Sequence, residues 1–179
     1  MLEGEKVRLR GIEKEDVDVL HEYMNNPEVT RYLDDHYRPH SRREEEEFIE
    51  DIMDNMKEGN EYHFGIEEKE SGDLVGVVSL NDIQGRNKSA ELGICIREDS
   101  WNKGYGTEAE KLTVEYGFRE LNLNSIHCRV FEFNERSKKV AKKVGFKEAG
   151  RLRKSIYRDG KYWDTIYLDI LKKEFLEKL

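Results

Sequence analysis

Trp101-Asn102-Lys103-Gly104-Tyr105-Gly106-Thr107-Glu108-Ala109 is the stretch on which the fold turns. Before it, residues 90–96 form an apolar, β-branched run that reads as a strand. After it, residues 104–120 carry Ala109, Leu112 and Tyr116 at helical spacing, with Val114, Phe118 and Leu121 widening the face. The stretch therefore joins a strand to a long helix. Gly104 and Gly106 let the backbone curl through positive φ and approach a ligand with no Cβ in the way. Successive amides then converge at the positive end of the helix dipole, which suits an anion. A P-loop would need Gly-Lys-Ser/Thr where Gly106-Thr107-Glu108 stands, so that reading fails. Gly104-x-Gly106-x-x-Ala109 matches the dinucleotide fingerprint in outline, yet Asn124 stands about 20 positions on, where that motif wants an acid. A helix entrance without a ligand fits the local spacing equally well.

Working outward, Val7-Arg8-Leu9-Arg10 alternates as an opening strand. Residues 13–25 and 27–32 read as helices. Ser41-Arg42-Arg43-Glu44 has capping-box spacing, and the helix it starts should bury Phe48, Ile49, Ile52, Met53 and Met56 before stopping near Gly59. Residues 62–67, 74–81 and 90–96 predict an antiparallel meander. A strand over 125–131, a short helix over 136–144 ended by Gly145, and strands near 147–157 and 162–171 follow. Arg158-Asp159-Gly160-Lys161 joins the last two as a hairpin. The expectation is α+β: a mixed, mostly antiparallel sheet of about seven strands flanked by about four helices, in one domain over 1–179.

The whole chain has 179 residues, which suits one compact domain. Charged residues make up 39%, yet 10% aromatic content argues against general disorder. No apolar run approaches the roughly 20 residues that span a bilayer, and the acidic start at Met1 does not read as a secretory leader, so no membrane partner is expected. A formal net charge of −8 disfavours nucleic acid, because phosphate contacts need a basic face. Cys95 and Cys128, each in an apolar run, read as buried thiols in a reducing cytoplasm. The histidines show no ligand spacing beyond His36/His40, so no metal is predicted.

Three motifs in order carry a resemblance. Glu91-Leu92-Gly93-Ile94-Cys95-Ile96 precedes Asn102 to Ala109; Asn134-Glu135-Arg136-Ser137 precedes Lys143-Val144-Gly145-Phe146; and Arg158-Asp159-Gly160-Lys161-Tyr162-Trp163-Asp164 closes the chain. Together they resemble the GNAT superfamily of acetyl-CoA-dependent N-acetyltransferases, especially the branch of ribosomal-protein N-terminal and spermidine acetyltransferases. The resemblance implies that the main chain of Asn102, Lys103, Gly104, Tyr105, Gly106 and Thr107 binds the pyrophosphate of acetyl-CoA. It implies that the backbone of Ile94, Cys95 and Ile96 pairs with the pantetheine arm, that Asn134 meets the cofactor near its thiol, and that two copies form a homodimer. Trp101 departs from the Arg/Gln that opens the family's loop and reads as a packing aromatic.

Acetyl transfer needs a neutral amine, and free alkyl amines are mostly protonated near neutrality. Glu91, at the start of the strand whose far end would hold the cofactor, is the first candidate for the base; a solvent-facing strand-edge carboxylate is the alternative. Relatives place a tyrosine seven residues after the asparagine to protonate the departing thiolate, and Ala141 stands there. Ser137, one helical turn earlier, is the nearest replacement, and an ordinary capping hydroxyl is its other reading. Cys95 and Cys128 read as strand-core thiols, so direct attack on the thioester is expected rather than an acyl-enzyme.

The acceptor, a small-molecule or peptide amine, should enter between the early helices and the last hairpin. Asp34-Asp35 and the run Glu44-Glu45-Glu46-Glu47 lie in that region and would attract a polycation, or simply form a solvated face. Because Ala141 departs from the spermidine-acetylating subgroup, a protein N-terminal α-amine is the first expectation, a polyamine the second. A non-catalytic acyl-CoA-binding module is the third.

Overall fold

The computed structural model describes residues 2–33 and 37–177. Asp34-Asp35 and His36, invoked above, lie outside the described residues. The chain runs β1 (Leu2–Glu3), β2 (Val7–Arg10), α1 (Val17–Met24), α2 (Pro27–Thr30), α3 (Arg42–Glu58), β3 (Tyr62–Glu68), β4 (Leu74–Gln84), β5 (Ser89–Ile96), α4 (Tyr105–Arg119), β6 (Ser125–Phe131), α5 (Glu135–Val144), β7 (Lys147–Arg158), β8 (Lys161–Leu171) and α6 (Lys172–Leu176). The strands form one sheet in the order β1-β2-β3-β4-β5-β6-β8-β7. Every neighbouring pair is antiparallel except β5 with β6. The expected architecture stands, with eight strands and six α-helices among the described residues instead of about seven and four. The elements not anticipated are β1 and α6, which span two and five residues, too few to show a period, whereas α2 falls within the helical segment expected over 27–32.

The local signals explain the element ends. Ser41 and Glu44 close a reciprocal capping box at the start of α3, and Gly59 ends it at φ 76°. Asp159 and Gly160 adopt φ 52° and 78°, the double left-handed turn that matches the twist of a two-residue hairpin. Asp164 accepts hydrogen bonds from the Lys154 amide at 3.0 Å and from Arg151 at 3.2 Å, pinning β7 where its register shifts.

The two sheet faces carry different layers. On one, α4 and α5 cover Leu80, Leu92, Ile126, Cys128 and Val130; on the other, α1 and α3 cover Leu74, Val77 and Cys95. Two expected faces differ. Phe48 is 45% exposed, and Glu45 takes the buried place on α3, beside His40 Nδ1 at 3.2 Å. Along α4 the fully buried line is Ala109, Glu110, Thr113, Val114, Gly117 and Phe118, whereas Leu112 and Tyr116 are half-buried. The helix is rotated toward its smaller residues because Gly117 sits against β6: a Cβ there would lie 2.9 Å from Ile126 Cδ1.

The N-terminus of α4 is tied to the edge strands. The Glu108 carboxylate accepts the amides of Glu5, Lys6 and Val7 at 2.7, 2.8 and 2.7 Å.

Candidate active site

The site begins as a fault in the sheet. β5 and β6 pair in parallel only at Ser89/Ser125, Ala90/Ile126 and Glu91/His127. Beyond that rung the strands separate, and a cleft of about 680 Å³ opens, lined by residues 92–96 on one wall and 128–131 on the other. The Arg97 amide bonds Val75 O at 2.9 Å, so the antiparallel alternation directs the main-chain groups of Cys95 and Gly93 to β4. Those of Leu92, Ile94 and Ile96 face the cleft. The strand edge that an extended amide chain would pair with is thus made of alternate residues, and Cys95 offers only its side chain. Trp101 Nε1 already donates to Ile96 O at 2.8 Å.

At the mouth, Asn102 has φ 62° and Gly104 φ 92°. Gly104 is the N-cap of α4 and has no side-chain cap, so the first-turn amides stay available to a ligand. Asn102, Gly104, Tyr105, Gly106 and Thr107 all line the cleft. Lys103 does not; its carbonyl instead accepts Lys6 Nζ at 2.9 Å. Tyr105 contributes backbone, since its buried ring packs in the core and its hydroxyl donates to Glu68. This arrangement fits an anionic diphosphate at the helix entrance followed by an amide-bearing arm along β5.

Asn134 and Ser137 bring α5 to the same cleft. Asn134 Oδ1 caps α5 by accepting the Ser137 amide at 3.1 Å. Trp101 packs edge-on against Tyr32, ring centroids 6.0 Å apart, with the Arg136 guanidinium 3.5 Å from the Trp101 ring centroid. Arg136 thereby holds a cation at the mouth, beside the uncapped amides.

Glu91 and Glu110 sit on opposite faces of the sheet. Glu91, with His127 and Arg129, points away from the α4 face, because Leu92 and Cys128 point toward it and side chains alternate. Arg129 Nε donates to Glu91 Oε1 at 2.5 Å, and His127 Nε2 lies 3.9 Å from Oε2. Glu110, on α4, is 2% exposed, lines the cleft, and its Oε2 has no hydrogen-bond partner. Burial away from water pushes its carboxyl up to about 8. Burial likewise pushes the Cys95 thiol up to about 12 and raises Cys128 further, so neither is a ready nucleophile. Glu110, His127, Arg129 and Arg136 escaped the sequence reading. For Glu110 the available signal was its place one turn after Gly106, on the side of α4 that small residues turn inward.

A family model described as acetyltransferase (GNAT) domain matches residues 6–147. The uncharacterized N-acetyltransferase p20 of Bacillus licheniformis is 34% identical over 96% of this chain and 96% of its own length. The spermidine N(1)-acetyltransferase of Escherichia coli K12 is 31% identical over 98% of this chain and 91% of its own. Among solved structures, the Vibrio cholerae spermidine N-acetyltransferase in complex with CoA and spermine superposes with a TM-score of 0.86 at 27% identity, covering 97% of this chain and 99% of that one.

Proposed function

The chain belongs to the GNAT family and is an acetyl-CoA-dependent N-acetyltransferase, and from that premise we propose that its acceptor is a polyamine. What carries this reading is the likeness to a spermidine acetyltransferase along 98% of the chain, which includes the β7–β8 hairpin beyond the family match. An acidic protein of net charge −8 favours a polycation at the encounter. The protein N-terminal amine, the first expectation from Ala141, yields to it because that departure concerns the leaving thiol, not the acceptor pocket.

In this reading the amides of residues 102–107 hold the pyrophosphate and Arg136 adds charge beside them. The β5 edge at Leu92, Ile94 and Ile96 takes the pantetheine amides, with Asn134 toward the thiol end. Acetyl-CoA supplies an activated acyl group; the protein aligns it and manages protons. Glu91, on the face opposite α4, receives the proton that the acceptor nitrogen sheds on attack. The buried thiols of Cys95 and Cys128 leave direct attack as the route. Ser137 lines the cleft as a hydroxyl at the cofactor side. The same reading makes residues 1–179 one domain, places it in the cytoplasm, where free Cys95 and Cys128 stay reduced, and pairs two copies.

The test is thiol release from acetyl-CoA against spermidine, spermine, short diamines and peptides with free N-termini. Polyamines should be the fastest acceptors. Faster turnover of peptides would return the reading to the N-terminal α-amine.

A further inference from the structure

The geometry points to Glu110 as the acid that protonates the departing coenzyme A sulfur, the task left open by Ala141. This rests on the acetyltransferase reading and adds a residue to it.

Position is the first argument. Gly106 touches the cofactor strand: a Cβ there would lie 3.3 Å from Ile96 Cδ1 and 3.9 Å from Ile94 Cδ1. Glu110 is one helical turn further, about 6 Å along α4. The helix runs back against β5, so that turn brings Glu110 level with residues two positions earlier on the strand, roughly 6.6 Å down. That level is Ile94 to Leu92, and Leu92 stands directly beyond the last paired rung at Glu91/His127, where the cleft closes. The neighbouring position on β6 is Cys128, whose thiol feels the Glu110 charge. With the pyrophosphate at the helix entrance and the arm on the β5 edge, the closed end receives the thioester.

Elimination is the second. Of the other proton-bearing groups lining the cleft, the Tyr105 hydroxyl is engaged by Glu68, the Ser100 hydroxyl by Asp99 at 3.0 Å and the Glu135 carboxylate by Lys138 at 2.5 Å, while Tyr32 stands at the mouth against Trp101 and Lys139 and Lys143 are exposed on α5. Glu91 lies on the far face with Arg129. Ser137 is an alcohol, far too weak an acid to match a thiol. Among the described residues, Glu110 is the buried acid with an unpartnered oxygen.

Chemical matching is the third. A carboxyl raised to about 8 is mostly protonated near neutrality, and it falls close to the ordinary thiol value of about 8.5, where proton transfer is most effective. The amine nitrogen bonds the acetyl carbon, the carbon–sulfur bond breaks with its pair going to sulfur, and the Glu110 proton moves to that sulfur. The carboxylate left behind regains a proton from water after the products leave. The amine's own surplus proton departs through the opposite face by Glu91. The sum is acetyl-CoA plus amine to acetamide plus free thiol.

The experiment compares the full chain with Glu110→Gln, which keeps shape and loses the acid. Thiol release is followed from about pH 6 to about pH 10 with the best acceptor of the panel, alongside coenzyme A affinity by calorimetry. The variant should lose about 100-fold in kcat, bind coenzyme A within about twofold, and lack the fall in kcat that the parent shows as pH rises through about 8. Unchanged kcat, or an alkaline fall that persists in the variant, overturns the assignment. Carbon-13 carboxyl NMR of the coenzyme A complex gives a readout without an acceptor: Glu110 must be neutral at pH 7, and an ionised signal overturns it even if no amine reacts. Failure of polyamines alone sinks only the acceptor reading.

Discussion

Arg129 Nε donates to Glu91 Oε1 at 2.5 Å, diagonally across the gap just beyond Glu91/His127, the last rung before β5 and β6 part. The pair fixes a carboxylate at the root of the cleft, with His127 Nε2 3.9 Å from Oε2. Glu91→Gln keeps the hydrogen-bonding outline and removes the charge. Turnover should fall by about 10- to 100-fold while coenzyme A affinity changes less than about twofold, measured by thiol release and calorimetry. Full turnover in this variant would remove Glu91 from the mechanism.

Gly104→Ala tests the helix entrance. Its φ of 92° is one that side-chain-bearing residues rarely adopt, and the added methyl would also sit 3.3 Å from Lys6 Nζ. Strain of about 1–2 kcal/mol should reorient the loop amides and weaken coenzyme A binding roughly tenfold. Calorimetry checks it; an unaltered Kd would mean that the loop amides do not grip the cofactor.

Glu108→Ala tests the anchor of α4. Removing one carboxylate strands the amides of Glu5, Lys6 and Val7. Unfolding free energy should drop by about 2–3 kcal/mol in urea titrations, with the loss confined to stability if the strand edge refolds locally. A loss under about 0.5 kcal/mol would show that water replaces the carboxylate at no cost.

Much of this was legible from local chemistry. Ser41 and Glu44, Gly59, and Asp159-Gly160 each announce an end or a turn through their own backbone preferences, and the structure uses all of them so. The loop at 101–107 was legible only in part: Gly104 takes the positive φ expected of it, whereas Gly106 already lies inside α4 and Asn102 takes the other left-handed position. What was not legible depends on contacts far apart in the chain. The separation of β5 from β6 arises between residues 36 positions apart, and nothing near either strand encodes it. Glu110 reads as a solvent-facing residue until α4 is seen to turn its Ala109–Gly117 side inward. Phe48 reads as core by spacing, yet Glu45 holds the buried place because His40 comes back across α3 to meet it. Cys95 was grouped with its neighbours although alternation turns its main chain to β4.

Stability against pH offers a check on Glu110 that is independent of turnover. The folded carboxyl keeps its proton up to about 8, whereas the unfolded chain releases it near the ordinary glutamate value of about 4.3. Between those limits the folded state holds more protons, so raising pH destabilises it, by up to roughly 1.4 kcal/mol per pH unit. Glu110→Gln removes this dependence. Its stability relative to the parent should therefore climb from about pH 5 to about pH 8 and then level off, as read from urea midpoints. A constant difference across that range would mean the carboxyl is not buried as a neutral acid.

The parting of β5 and β6 also bears on how such a protein changes over time. The surface that would recognise the donor's arm is peptide backbone, which every amino acid shares, so substitutions at residues 92–96 alter it little provided the strand persists. In the proposed function, acceptor choice rests instead on side chains across the opposite face. Descent can thus retune which amine is modified while leaving donor use intact, because the two requirements are written in different parts of the polymer.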